Sequence, residues 1–168
     1  FTSLVTELGP FEAFTSDSAG ETLLMGVSID GVILPQQPVD RIASGQRPDV
    51  PIIIGSNRDE AALFTVSEVV STPADYEELV RAHFGDQADA LLEIYRVEDF
   101  ESPKAAWNAI AGESFFNCPT LAVSQAAAAN GASLYLYYFT HVPSGLAGAL
   151  GATHAIEIPY VFGTFNAL

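Results

Sequence analysis

Val50-Pro51-Ile52-Ile53-Ile54-Gly55-Ser56-Asn57-Arg58-Asp59-Glu60 is the stretch on which the fold turns. Val50 to Ile54 is apolar and β-branched, and turn formers bound it, Pro48-Asp49 before and Gly55-Ser56-Asn57 after. A short run of this kind predicts a strand buried on both faces, as in parallel sheets covered by helices. A second strand is expected at Leu134 to Phe139 (Leu-Tyr-Leu-Tyr-Tyr-Phe), which is rich in aromatic residues.

Helical signals fill the space between the two runs. Glu60 to Val66 reads as a short helical turn. Thr72 caps a helix that opens with Pro73 and runs to about Phe84. Asp86 starts another, with Ala90, Leu91, Ile94 and Tyr95 on one face and an end near Arg96. Ser102-Pro103 repeats the cap-then-proline signature and opens a helix through Trp107 and Ile110. Thr120 to Asn130 is a further, alanine-rich helix closed by Gly131, and Ile158-Pro159 marks a last helical start. Two strands joined by helices are the unit of a mostly parallel α/β sheet. Since such a sheet needs cover and neighbours that two strands do not supply, partner strands are expected from outside this sequence.

Upstream, residues 1–48 read as a loop-rich lead-in punctuated by Gly9-Pro10, Ser16 to Gly20, Asp30-Gly31, Pro35 and Pro38, with room for a short helix over Val39 to Ser44 ended by Gly45. Residues 49–168 carry the strands, the helices and a loop around His154. The chain begins Phe1-Thr2-Ser3, without an initiator Met or a basic and apolar leader, and the expectation is a piece of a longer protein.

Composition narrows the function classes. The chain has 168 residues, 49% hydrophobic and 16% charged, which suits one domain with a real core. Its net charge of −15 opposes binding to phosphate backbones or anionic lipid, so neither nucleic acid nor a membrane is an expected partner. Cys118, the single cysteine, offers no internal disulfide and no zinc spacing, and reads as an inert thiol, with a cystine to a part of the protein outside this sequence as the open alternative. His83 and His141 lack acid or histidine at ligand spacing, Trp107 with Ile110 reads as core, and no phosphate-binding glycine loop is present. No metal or organic cofactor is expected.

In open α/β sheets reactive groups sit in loops just past the carboxyl ends of strands. Two such loops carry suitable groups: Glu60 follows the first strand, and His154, in Gly151-Ala152-Thr153-His154, follows the second, with 154 − 60 = 94 residues between them. A carboxylate that orients an imidazole, acid before histidine in chain order, fits the α/β-hydrolase order of serine, acid, histidine. On chemistry alone Asp59 competes with Glu60 for the acid's place. No G-x-S-x-G elbow occurs; Ser18, in Ser16-Asp17-Ser18-Ala19-Gly20, is rejected as nucleophile because Ser16 replaces the first glycine, no buried strand precedes it and only 60 − 18 = 42 residues separate it from Glu60.

The stretch Asp30-Gly31-Val32-Ile33-Leu34-Pro35, the run Val50 to Phe64 and the run Gly151-Ala152-Thr153-His154-Ala155-Ile156-Glu157-Ile158-Pro159-Tyr160-Val161-Phe162-Gly163 together resemble the type B carboxylesterases, the cholinesterase-like α/β-hydrolases. Glu113-Ser114-Phe115-Phe116-Asn117-Cys118-Pro119 and the Tyr135-to-Phe139 strand sit where that family has its phenylalanine-cysteine-proline helix and the strand before its histidine loop. The resemblance implies a portion of an α/β-hydrolase fold, the last strands of a mostly parallel central sheet with their connecting helices. It implies that Glu60 is the triad acid, which separates it from Asp59, and that His154 is the general base. It further implies that Glu157 is a second glutamate supporting the site's hydrogen bonds and negative potential, and that Leu63 and Phe64 line the substrate pocket.

Some positions depart from the pattern. Ala155 and Ala61 stand where glycine is common, Val27 where a proline often precedes the Asp-Gly turn, and Leu63 where cholinesterases place an aromatic that holds a quaternary ammonium. The last of these argues against choline esters.

The leading expectation is a carboxylic ester hydrolase whose serine and oxyanion hole come from missing N-terminal sequence of the same protein. The partner is then a small-molecule ester, and the isolated chain is expected to be inactive. Two alternatives stay open: a catalytically silent member of the fold serving as a binding or adhesion module, and an acidic interaction domain unrelated to hydrolases.

Overall fold

The computed structural model describes residues 29–46 and 49–164. Ser18, Val27, the turns at Gly9-Pro10 and Ser16 to Gly20, and Phe165 to Leu168 lie outside the described residues. The elements are α1 (Pro38–Ala43), β1 (Ile52–Asn57), α2 (Pro73–Phe84), α3 (Ala88–Ile94), α4 (Pro103–Gly112), α5 (Cys118–Ala129), β2 (Leu134–Phe139) and α6 (Ile158–Phe162). A 3₁₀ turn occupies Glu60–Leu63, directly after β1.

β1 and β2 pair with each other. The Ile52 N–H donates to the Ser133 carbonyl and the Arg58 N–H to the Phe139 carbonyl. Both bonds reach 81 residues ahead (133 − 52 and 139 − 58), and that constant offset is the register of parallel strands. The backbones lie so close that a side chain on Gly55 would come within 2.4 Å of the Tyr137 ring and carbonyl, so only glycine fits there. The expectation of a strand buried on both faces fails. Ile53 is 77% exposed, and Val50, Tyr135, Leu136 and Tyr138 are exposed as well. An apolar β-branched run reports the cover a strand is built for, and the described residues place nothing over that face of Ile53.

The chain divides into two compact units, residues 1–56 with 115–138 and residues 57–114 with 139–168. In the first, Asn130 ties α1 to α5, its Nδ2 donating to the carbonyls of Ile42 and Ala43 at 3.2 and 3.1 Å and to that of Ala126 at 2.9 Å. Asp30 Oδ1 accepts the N–H groups of Val32, Ile33 and Leu34 around the Gly31 turn. Those donors, Leu34 and Val32 foremost, hold its carboxyl below the ordinary value of 3.8.

In the second unit α2, α3 and α4 bury Tyr76, Val80, Phe84, Leu91, Trp107 and Ile110. Helix α2 occupies the span its sequence predicts. Thr72 accepts the Asp75 N–H while Asp75 Oδ2 accepts the Thr72 N–H at 2.8 Å, a reciprocal capping box in which Asp serves for Glu. Helix α4 starts under a similar cap, Ser102 Oγ accepting the Ala105 N–H at 3.1 Å. The face expected for the next helix is rotated. Ala88, Leu91 and Tyr95 are buried while Ala90 and Ile94 are exposed, because a 3₁₀ turn at Gly85–Gln87 shifts the phase on entry to α3.

Between α4 and α5 the chain stays helical through a π turn at Glu113–Asn117 instead of stopping. Pro119 has no N–H to give a carbonyl four residues back, and its ring crowds that carbonyl. A π turn just ahead of it widens the helix and lets the chain continue. Among the described residues no helix is long and apolar enough to cross a membrane.

Candidate active site

The candidate residues gather in the second unit, where two loops meet. The first runs from Asn57, the last residue of β1, through Glu60 in the 3₁₀ turn. The second runs from Gly151 to Glu157, ahead of α6. Asp59 clamps them together: its N–H donates to the Ala152 carbonyl at 3.0 Å, and its Oδ2 accepts the Ala152 N–H at 2.7 Å. Gly151 makes room for that clamp. Its φ is +76°, and a Cβ there would lie 2.2 Å from Asp59 Oδ2, so this position excludes every side chain.

Glu60 and His154 come into direct contact, with Oε2 2.7 Å from Nδ1. Glu60 is held at both oxygens, since its Oε1 accepts the Asn57 N–H at 2.7 Å. An ionised carboxylate only accepts, so Nδ1 carries the proton of this bond and Nε2 becomes the basic nitrogen of the ring. The Glu60 side chain is 8% exposed and that of His154 is 44% exposed. The acid is thus shielded, which strengthens its hold on the imidazole, while the imidazole faces outward. Asp59, the rival acid, is turned away from the histidine, being engaged by Ala152 and by Arg58 at 2.9 Å.

Phe64 lies beside the histidine, its ring centroid 5.1 Å from that of the imidazole and tilted by 57°. Leu63 and Phe64 are each about two-fifths exposed, at 44% and 43%. Glu157 accepts from the Asn57 Nδ2 at 2.6 Å, so a single side chain links it to the start of the first loop. Ala155, directly after the histidine, has φ of +67°, a left-handed conformation that explains why glycine is the usual residue there.

Other candidates fall elsewhere. His83 packs on Trp107 with 5.0 Å between rings, and His141 stacks edge-on against Tyr160 at 5.1 Å. Among the described residues no three His, Cys, Asp or Glu side chains gather as a metal site would require.

In the sequence Asn57 reads only as a turn former. It meets the acid through its main-chain N–H and the histidine loop through its side chain, and the polar residue closing an apolar strand just ahead of the acid is the signal the sequence offers.

Parallel strands whose following loops bring a carboxylate onto an imidazole define an α/β protein with its polar cluster beyond the carboxyl ends of the strands. A family model described as "Carboxylesterase family" matches residues 5–167, and the chain belongs to that family, whose members have the α/β-hydrolase fold. It is 37% identical over 142 residues to "Fumonisin B1 esterase" of Sphingopyxis macrogoltabida, covering 84% of this chain and 26% of that protein. It is 31% identical over 156 residues to "Acetylcholinesterase" of Leptinotarsa decemlineata, covering 81% and 25% respectively. A third relative, "Crystal protein" of Dictyostelium discoideum, is 34% identical over 148 residues, 82% of this chain and 27% of that protein. The chain therefore spans about a quarter of the length of the curated relatives it matches.

Proposed function

We propose that the protein to which this chain belongs hydrolyses carboxylic esters through a serine, histidine and glutamate, with this chain supplying the last two. The observation that carries the reading is the 2.7 Å contact between Glu60 Oε2 and His154 Nδ1. In this reading β1 and β2 are among the last strands of a mostly parallel central sheet, and residues 1–168 are one part of a carboxylesterase domain. Family membership and relatives with esterase names support it.

The serine comes from sequence outside this chain. His154 takes its proton at Nε2 as the oxygen attacks the ester carbonyl, then returns the proton to the leaving alcohol. Glu60 keeps the proton on Nδ1 and stabilises the imidazolium formed in between. Backbone N–H groups outside this chain stabilise the oxyanion. Phe64, beside the histidine, and Leu63, exposed at the end of the 3₁₀ turn, form part of the wall against which the substrate rests. Leucine at position 63 offers no cation–π surface, which favours neutral esters over choline esters.

In the full-length protein, His154→Ala is expected to lower kcat for 4-nitrophenyl acetate by roughly 10⁶-fold with an unchanged melting temperature. Near-normal turnover in that variant would sink the assignment. A wild-type protein that folds but neither hydrolyses esters nor reacts with a phosphonate would instead favour a silent binding module.

A further inference from the structure

Asn57 is buried, with 1% of its surface exposed. Its main-chain N–H holds Glu60 Oε1, and its Nδ2 donates both to the Thr153 carbonyl at 2.8 Å and to Glu157 Oε2 at 2.6 Å. Thr153 immediately precedes His154 and Glu157 follows it by three residues, so one amide grips the histidine loop on both sides. The same amide leaves its Oδ1 buried and, among the described residues, without a hydrogen-bond partner. A buried acceptor left unserved costs about 1–3 kcal/mol. That cost makes sense only if the NH₂ end is committed elsewhere, and a carbonyl and a carboxylate are two acceptors that only a donor can satisfy.

We infer that Asn57 is a positioning residue: it fixes the distance between Glu60 and His154 by binding the acid through its backbone and the histidine loop through its side chain. The inference rests on the reading of Glu60 and His154 as acid and base. Asn57 touches none of the reacting atoms. Aspartate is the discriminating replacement, because it keeps the shape while turning the donor into an acceptor that faces the Glu157 carboxylate and the Thr153 carbonyl. A second exchange, Glu157→Gln, then restores a donor on the opposite side.

The test uses the full-length protein with 4-nitrophenyl acetate as probe, comparing wild type, Asn57→Asp, Glu157→Gln and the double variant. Proton NMR follows the far-downfield resonance of the His154 Nδ1–H. Asn57→Asp is expected to lower kcat by about 10²-fold, the cost of a misplacement near 1 Å, with KM changed by less than about twofold and the resonance lost or broadened. The double variant is expected to regain at least about tenfold in kcat, and the resonance with it. Unchanged kcat and resonance in Asn57→Asp, or equal losses in the single and double variants, would overturn the inference. If Asn57→Asp does not fold, Asn57→Ser carries the same comparison, and retention of the full wild-type kcat would likewise overturn it. A wild type without hydrolysis whose resonance still responds in this pattern would remove the esterase reading and leave the positioning role standing. Hydrolysis in a wild type whose resonance ignores Asn57→Asp would do the reverse.

Discussion

Ala155 carries backbone strain beside the histidine. A left-handed conformation costs an ordinary residue about 1–2 kcal/mol, and glycine escapes that cost while giving some back as chain entropy in the unfolded state. Ala155→Gly is therefore expected to stabilise the fold by about 0.5–1 kcal/mol, read as a melting temperature higher by a few degrees. A lower melting temperature would show that the Cβ contributes packing that outweighs the strain. The sequence revealed the departure from glycine at this position and not its reason, because a φ of +67° is a property of the folded loop. Asn57 is hidden in the same way. Its two side-chain bonds cross 96 and 100 residues, and nothing local to Gly55-Ser56-Asn57 announces them. Glu60 and His154 were legible because their spacing and neighbouring residues match a known pattern. The choice between Asp59 and Glu60 needed that pattern as well; in the structure Asp59 turns to Ala152 and Glu60 to His154.

At the scale of elements, what was legible was what is locally encoded. The caps at Thr72 and Ser102, each followed by proline, predict the starts of α2 and α4 because the bonds that stop a helix end from fraying lie within three residues. The π turn and the rotated face of α3 escaped, since both depend on how a helix joins the next. Helices α2 and α3 are tied by the Tyr76 hydroxyl, which donates to the Tyr95 carbonyl at 2.7 Å. Burial pushes the Tyr76 phenol up to about 12 from its ordinary 10.0. A folded-state value above the unfolded one means its stabilisation is complete below pH 10 and is lost as the pH rises from there through 12. Unfolding followed by Trp107 fluorescence should accordingly steepen between those values. Tyr76→Phe should lose that part of the slope while costing about 1 kcal/mol at neutral pH from the lost hydrogen bond to Tyr95. An unaltered alkaline slope in the variant would refute the link.

For the whole molecule, the relevant facts are the net charge of −15, the exposed apolar side chains on β1 and β2, and the absence of any Gly-x-Ser-x-Gly in the sequence. The 168-residue polypeptide alone is expected to show no hydrolysis of 4-nitrophenyl acetate above the buffer rate, even with Glu60 and His154 in contact. An imidazole with its carboxylate but no nucleophile and no oxyanion donors lacks the largest contributions to acyl transfer. Turnover that disappears on His154→Ala in this polypeptide would require a nucleophile within it and would reopen the case for Ser18.

The parallel register of β1 and β2 also sets an order in time. Helices α2 to α4 rest on contacts between near neighbours in sequence, and such structure forms within microseconds. Bringing Glu60 to His154 closes a loop of 94 residues, an entropic cost of about 4 kcal/mol that must be met before the contact returns anything. Contacts of that span are made late. A nascent chain thus acquires most of its helix content before it acquires any site, and the meeting of acid and histidine reports that the long-range pairing is complete.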